Sequence, residues 1–232
     1  MQNVSALYIS IIASEPHWFE SKLVIDGVGT FDESQLFQMT TNHRIFDAAP
    51  EVGLAVAGEI DVTILYPSVE IPKMACLRPY VRACNATQQS EWIPQGVYYI
   101  DTRERTKDDT GLSFLTIHGY DAMLKAEQMY NGRITASSRD KQMVTEIAYQ
   151  MGVSVDSRTN TIMNKNYTIP LPTGYTYREV LGYIASMYAG CFIMTEQGKL
   201  RLVTINELPP ETSYLIDNVG NAITFGGDRI LV

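Results

Sequence analysis

The sequence predicts a mainly β protein with an α+β insertion, made of antiparallel β-barrel domain(s) and a small two-helix α+β module. Two observations carry this prediction. From residue 7 to about residue 116, short apolar or alternating segments are separated by glycine, proline and charged turns, as in antiparallel sheets. After Tyr120, apolar residues recur at helical spacing instead. A chain of 232 residues that is 45% hydrophobic is long enough to bury a sizeable core.

The strand predictions rest on apolar runs and on alternation. The N-terminal segment LYISIIA is apolar and rich in β-branched residues, which predicts a first strand. In GEIDVTILYP, the side chains of Ile60, Val62 and Ile64 point to one face, which predicts a half-buried strand that ends at Pro67. The segments GVYYIDTRE and LSFLTIHGY are joined by the turn TKDDTG and predict a hairpin.

The α+β module is predicted from helix signals. The segment DAMLKAEQMY predicts a short helix with Asp121 as its N-cap. A helix near 139–151 has an apolar stripe and is followed by Gly152, which predicts a left-handed C-cap. A second helix near 176–189 begins with TYRE, the pattern of a capping box, and a hairpin follows it.

These elements divide the chain into three predicted segments. An N-terminal β-barrel domain covers 1–121, and the α+β module covers 122–206. The segment 207–232 is strand-like, and its strands either return to the barrel or start a further domain.

Composition narrows the classes of function. The net charge is −8 and Lys and Arg form no run, so recognition of nucleic-acid sequence is not expected. A charged fraction of only 19%, with 14 Tyr and 10 Met, favours surfaces that contact other proteins. No run reaches the ~18 apolar residues of a membrane span, and no signal peptide is evident, so a soluble chain made in the cytoplasm is expected.

Cysteine and histidine patterns predict no metal or cofactor site. Cys76, Cys84 and Cys191 are odd in number and have no CxxC spacing, which favours free thiols. The histidines at 17, 43 and 118 form no HExxH or HxH pattern. His118 is the best candidate for a catalytic base, and Asp121 could orient its ring, but no nucleophile elbow accompanies it.

Two further features have a functional and a structural interpretation. Asp101, Glu104, Asp108 and Asp109 are candidates for paired catalytic carboxylates, although RERTKDD mixes both charges as exposed hairpin tips do. Trp92 in WIPQG could stack on a ligand, but a plug at a sheet edge or a subunit contact is favoured. We therefore predict no catalytic, cofactor-binding or metal-binding residue.

Four segments together resemble a family of phage proteins. The segments are SEWIPQGVYYIDTRE, LTIHGYDAMLKAEQ, YQMGVSVDSRT and YTYREVLGYIASMYAGCFIMTEQGKLRLV, at residues 90–104, 115–128, 149–159 and 175–203, and they cover about half of the chain. In their order and spacing they resemble the tail hub proteins of long-tailed bacteriophages and contractile bacteriocin particles. The resemblance is to the N-terminal region of the tail-associated lysin or prophage endopeptidase tail family.

The resemblance implies a structural role without enzymatic activity. It implies a homotrimeric baseplate hub at the virion tail tip, which closes the tail tube and adapts sixfold tube symmetry to a threefold tip. The implied partners are the tail tube or distal tail ring protein, the tape measure protein and a spike or tip protein. Two alternatives remain open: a peptidoglycan-cleaving tail lysin that uses His118 and the acids of 101–109, and a receptor- or carbohydrate-binding module that uses Trp92.

Overall fold

The mainly β class and the small α+β module are confirmed. The computed structural model describes residues 4–46 and 51–205, together with the backbone of 224–225 and 228–229. The elements of its first part are α1 Ala6–Ile12, β1 His17–Ile25, β2 Gly29–Phe31, β3 Leu36–Asn42, β4 Leu54–Ala55, β5 Glu59–Leu65, β6 Cys76–Asn85, β7 Ile93–Pro94, β8 Tyr98–Lys107 and β9 Ser113–Asp121.

Most of these strands form one antiparallel sheet that does not close. The strand order is β2-β1-β6-β8-β9-β5-β3, with β7 paired to β6. In the part of the chain that the structure describes, β2 at one end pairs with β1 only over Leu23–Ile25, and β3 at the other end pairs only with β5. Among the described residues no pairing joins these two ends, so the predicted closed barrel is replaced by a curled, open sheet.

Alternation builds the core of this large sheet. In β5 the side chains of Ile60, Val62 and Ile64 are buried, as their spacing predicts. They pack with apolar residues from the other strands into one cluster that includes Leu23, Leu77 and Ile117. Phe31 and Leu36 belong to the same cluster, so both ends of the open sheet face one core.

The predicted first strand is wrong, because the segment is the helix α1. Ser5 is its N-cap and accepts a hydrogen bond from the backbone N–H of Tyr8 at 3.0 Å. The backbone N–H and the hydroxyl of Ser5 donate to the carboxylate of Glu91 at 2.7 and 2.6 Å. A cap that is anchored by a residue 86 positions away outweighs the β propensity of the apolar run.

The second part of the described chain is the α+β module. Its elements are a 3₁₀ helix Ala122–Glu127, β10 Ser138–Arg139, α2 Asp140–Met151, α3 Ser157–Ile162, β11 Thr168–Ile169, α4 Tyr177–Met187, β12 Gly190–Met194 and β13 Leu200–Thr204. A short pair, β14 Thr224–Phe225 and β15 Asp228–Arg229, follows. Most of 207–232 lies outside the described residues, and so does the predicted return of its strands to the barrel.

The helix signals agree with the observed caps. Gly152 follows α2 in the left-handed conformation, with φ of 73°. Thr176 and Glu179 form the capping box of α4, and Asp121 caps the 3₁₀ helix. The helix α3, capped by Asp156, has no counterpart in the sequence prediction.

A second, three-stranded sheet joins the two parts. Its order is β13-β12-β4, and β4 runs parallel to β12. The strand β4 comes from the predicted N-terminal segment, yet it pairs inside the module. Helix α4 packs closely against β4, since a Cβ added at Gly182 would lie 2.6 Å from the carbonyl oxygen of Gly53. The domain boundaries at 121 and 206 stay a prediction.

Candidate assembly surface

Exposed apolar side chains cluster on α1 and on the start of β1. We call this set the α1–β1 surface; it consists of Leu7, Ile9, Ile12, Trp18 and Phe19, which are 38–54% exposed. Large apolar side chains are common in interiors, so their exposure at several nearby positions of the chain favours a contact with another molecule.

Helix α1 is held on the protein by a small part of its surface. Of its apolar residues, Ile11 is fully buried, and α1 packs against β6. The hydrogen bonds from Ser5 to Glu91 fix its first turn, and the Ser5 hydroxyl lowers the pKa of Glu91. Ile9 and Ile12 therefore point away from the large sheet and remain exposed to solvent.

The neighbouring part of β1 also has an unpaired edge. From His17 to Lys22, β1 pairs with β6, whereas its pairing with β2 begins only at Leu23. In the described part of the chain no strand covers this outer edge. Trp18 and Phe19 lie on this edge, 45% and 51% exposed, with their side chains on opposite faces of the sheet. The edge also carries the charged residues Glu20 and Lys22, and the backbone N–H of Ser21 donates to the Glu33 carboxylate at 3.4 Å, so the edge is partly protected against pairing with other chains.

The hairpin of β8 and β9 carries the four acids proposed as a catalytic cluster. All side chains from Asp101 to Lys107 are exposed, and both charges alternate along the strand. Asp108 organises the turn, because its Oδ1 accepts hydrogen bonds from the backbone N–H groups of Thr110 and Leu112 at 3.0 and 2.8 Å. The Thr110 hydroxyl lowers the pKa of Asp108. This geometry is that of a charged hairpin tip.

His118 is oriented by a residue that the sequence did not indicate. Its Nδ1 lies 2.8 Å from Oδ1 of Asp61, directly opposite on β5. Asp121 is three positions away on the same strand, and therefore on the opposite face of the sheet. Among the described residues, no hydroxyl or thiol makes a hydrogen bond to His118, so the arrangement is an Asp–His pair beside Tyr120.

Trp92 is packed under two cations. Lys22 Nζ lies 4.3 Å from the centre of one of its rings, and Arg82 Cζ lies 4.4 Å away. Arg82 is itself bound by Glu20, with 2.8 Å between Nε and Oε2. A ring surface covered in this way is not open for stacking on a sugar. The contact joins β1, β6 and the segment before β7.

The three cysteines are free thiols, and two of them are shifted towards the protonated form. Burial raises the pKa of the Cys76 thiol to about 11, and it also raises the pKa of Cys84. Thiols protonated at neutral pH are poor nucleophiles and poor metal ligands. In the described ranges no group of three or more His, Cys, Asp or Glu side chains has the geometry of a metal site. None of the helices in these ranges is long and apolar enough to cross a bilayer.

A second apolar feature lies on the module. A groove of about 410 Å³ runs along α4 and the segment after β11, where Leu171, Tyr175, Tyr183 and Met187 are 41–57% exposed. The rings of Tyr175 and Tyr183 meet edge to face at 5.4 Å. Neither this groove nor the α1–β1 surface is evident in the sequence, because both consist of side chains that the fold leaves uncovered. For α1, the sequence did contain one signal of a helix: Ser5, a residue type favoured at N-caps, directly precedes the apolar run.

The comparisons with known proteins give the fold. No protein-family model and no curated protein matches the chain. Two solved structures share its architecture. One is the 43 kDa tail protein of prophage MuSo2 from Shewanella oneidensis, with a TM-score of 0.58, 14% identity, and coverage of 81% of this chain and 56% of that chain. The other is the tail protein from Neisseria meningitidis MC58, with a TM-score of 0.54, 11% identity, and coverage of 88% and 53%.

The chain has the fold of part of these tail proteins. It spans about half the length of each of them. At such identities the likeness concerns the fold, and fold alone does not fix function.

Proposed function

We propose that this chain is a structural tail protein of a phage or phage-like injection particle. Specifically, it acts as the baseplate hub, a homotrimer that closes the tail tube and adapts sixfold tube symmetry to a threefold tip. The single observation that supports this best is the fold shared with two phage tail proteins. The α1–β1 surface adds a physical reason, since exposed apolar side chains beside an unpaired strand edge favour a contact with another protein.

The proposed role is assembly, not catalysis. The Asp61–His118 pair has no hydrogen-bonded nucleophile in the described part of the chain, and Trp92 is covered by Lys22 and Arg82. These arrangements favour the hub over a tail lysin or a carbohydrate-binding module. The proposed partners are the tail tube or distal tail ring protein, the tape measure protein and the spike or tip protein, and the proposed location is the tail tip.

A ring is the assembly that this role requires. When two different surfaces of neighbouring copies contact each other, the copies form a closed ring if the rotation from one copy to the next divides a full turn evenly. A threefold ring of this kind can then bind a sixfold tube. The α1–β1 surface is our candidate for the contact between copies.

The test is the mass in solution of the chain and of two variants. We expect light scattering to give three times 26.0 kDa for the wild-type chain alone, or a larger ring that forms only when a neighbouring tail protein is added. The substitution Phe19→Glu places a charge on the α1–β1 surface and should give monomers with an unchanged circular dichroism spectrum. Leu112→Glu is the matched control, because Leu112 is 46% exposed in the hairpin turn, and it should remain trimeric.

Two outcomes would contradict the proposal. A wild-type chain that stays monomeric with every tail protein would overturn the hub function. A Phe19→Glu variant that assembles like the wild type would show that the copies meet through another surface.

A further inference from the structure

A cleft on the large sheet is lined by two arginines. It has a volume of about 460 Å³ and lies between the second half of β8 and the segment 66–71, which follows β5. The strand β8 contributes Arg103 and Arg105 to its lining, and the segment contributes Tyr66 and Glu70. Leu115 of β9 also lines the cleft and belongs to the core of the large sheet. The cleft therefore adjoins this core.

A β-bulge directs both arginines to the core face of the sheet. Ile100 of β8 is buried in the core, and the register between β8 and β9 shifts directly after it. Beyond the shift, Arg103 lies opposite the buried Ile117. Arg105 lies opposite the buried Leu115. Because directly opposite residues of paired strands project from the same face, both arginines project from the face that carries the core, and a bulge is a common means of directing a side chain in this way.

Neighbouring groups hold both guanidinium groups in place. Arg103 donates a hydrogen bond from Nη1 to the carbonyl oxygen of Ile71. Arg105 donates from Nη2 to the hydroxyl oxygen of Ser113 at 3.2 Å, and its Cζ lies 4.1 Å from the centre of the Tyr66 ring. These contacts orient the two side chains without supplying a negative charge. A ligand that binds them loses less entropy than one that must first order them.

The positive charge of the two arginines has no partner in the described part of the chain. Neither Arg103 nor Arg105 forms an ion pair there, although Glu70 lines the same cleft. A guanidinium group has about five N–H donors, so most of them remain available on each arginine. Two like charges held side by side repel each other, and a bound anion removes this repulsion. Carboxylates fit such a site, because a guanidinium group binds them through two parallel hydrogen bonds.

The spacing of the cations is that of an extended chain. Lys107 is the next residue on the same face of β8, two positions after Arg105. Neighbouring cations of this row are therefore about 6.6 Å apart along the strand. An extended peptide with acidic residues at alternate positions has the same spacing. The net charge of −8 disfavours long polyanions such as nucleic acid, which the whole molecule repels, whereas a short acidic segment depends mainly on the local charge.

We propose that this cleft binds an extended acidic segment of another protein, with Asp or Glu at alternate positions. Successive carboxylates of the segment pair with Arg103 and Arg105, and a further one reaches Lys107. This binding goes beyond the hub function and does not require that copies of the chain form a ring.

The experiment is a fluorescence anisotropy titration of two labelled peptides with the full chain. In one peptide glutamate alternates with threonine, and the control peptide has the same composition with its glutamates adjacent. We expect the alternating peptide to bind about fivefold more tightly, because only its carboxylates all lie on one face of an extended chain. Added salt should weaken this binding, since the charges that form it are close to solvent.

Substitution of either arginine should weaken the binding of the alternating peptide. Arg103→Gln and Arg105→Gln each remove one charge of the cleft, and each should lower the affinity about tenfold. Arg78→Gln is the matched control and should bind like the wild type. Arg78 is 41% exposed on β6 of the same sheet, but it is already paired with Asp26, with 3.2 Å between Nη2 and Oδ2.

Hydrogen exchange of the wild-type chain locates the site without a substitution. The bound alternating peptide should slow exchange at 66–71, and this measurement decides if an arginine variant does not fold. Equal affinity for the two peptides, unchanged affinity in both arginine variants, or no protection at 66–71 would overturn the proposal. Inorganic phosphate is the competing probe. If it displaces the alternating peptide at an equal concentration, the cleft is a site for a compact oxyanion, and the proposal of an extended segment is overturned.

Discussion

The large sheet and the α+β module bury different kinds of residue. The core of the large sheet consists of apolar side chains, most of them aliphatic, that alternate along its strands. The module also has an apolar core, but Asp140, Glu146 and Asp156 are buried beside it, each less than 8% exposed. The large sheet also buries the Asp121 carboxyl group at the end of β9, so it depends mainly on apolar packing, whereas the module combines such packing with several buried carboxylates.

Each buried acid of the module has specific partners. Asp140 accepts hydrogen bonds from the backbone N–H of Tyr167 at 3.1 Å and from the hydroxyl of Tyr188. Asp156 caps α3 and binds the Arg158 guanidinium, with 2.8 Å between Oδ1 and Nε, and this contact lowers the pKa of Asp156 to about 2. Buried charges are tolerated when they are paired and hydrogen-bonded, and such networks define one arrangement of the chain around them.

The comparison shows where each part can contact other proteins. The buried carboxylates of the module are paired within it, and one group of its exposed apolar side chains lies along α4. The large sheet leaves a strand edge and the apolar helix α1 uncovered. These features favour the large sheet as the part of the molecule that contacts other proteins.

Truncation of the two cores should give the largest effects. Ile60→Ala in the large sheet and Leu181→Ala in α4 each remove a fully buried side chain. We expect each to lower the free energy of unfolding by about 3 kcal/mol. If the two parts unfold as separate cooperative units, hydrogen exchange should show each variant losing protection mainly in its own part. If both variants lost protection from exchange equally in both parts, the large sheet and the module would unfold as one cooperative unit. The contrast between the two parts would then not extend to their stability.

Removal of the Glu146 charge should have a smaller effect that depends on pH. Glu146 accepts hydrogen bonds from the backbone N–H of Arg133 at 2.8 Å and from its Nη2 at 2.9 Å, and the Arg133 guanidinium lowers the pKa of Glu146 to about 2. Because the folded pKa lies below the unfolded value of 4.5, the stabilisation is complete above pH 4.5 and is lost as the pH falls towards 2. Glu146→Gln should cost about 2 kcal/mol at pH 7.

Urea unfolding between pH 2 and pH 7 measures this effect. The difference between wild type and Glu146→Gln should shrink towards pH 2. The matched control is Glu127→Gln, whose carboxylate is 53% exposed in its pair with Arg178 and should contribute no more than about 1 kcal/mol. If Glu146→Gln lowered the free energy of unfolding by the same amount at every pH, the shape of the Glu146 side chain, and not its charge, would be what stabilises the module.

Replacement of Trp92 should have the smallest effect. The substitution Trp92→Leu removes the ring under Lys22 and Arg82, and exposed cation–π contacts contribute about 1 kcal/mol. Tyr149→Leu is the counterpart on the module, where Arg133 Cζ lies 4.0 Å from the ring centre, and it should cost a similar amount. Denaturant unfolding checks both. A cost above about 3 kcal/mol for Trp92→Leu would identify Trp92 as a core residue of the sheet.

The sequence by itself determined the elements whose signals are local. The alternation of Ile60, Val62 and Ile64 predicted the buried face of β5, and Thr176 with Glu179 predicted the start of α4. Gly152 predicted the end of α2. Such signals act within a few residues, because a period of two or 3.6 and a capping hydrogen bond need no distant partner.

Only the tertiary structure decided the features that depend on distant residues. The apolar run at the N-terminus has the composition of a strand, but its bond to Glu91 and the burial of Ile11 make it a helix. Asp61 orients His118 because β5 and β9 are paired, and the Asp121 carboxylate accepts a hydrogen bond from Gly58, 63 positions away. Contacts of this kind form between segments that are far apart in the sequence, and the local spacing of residues does not indicate which segments will meet.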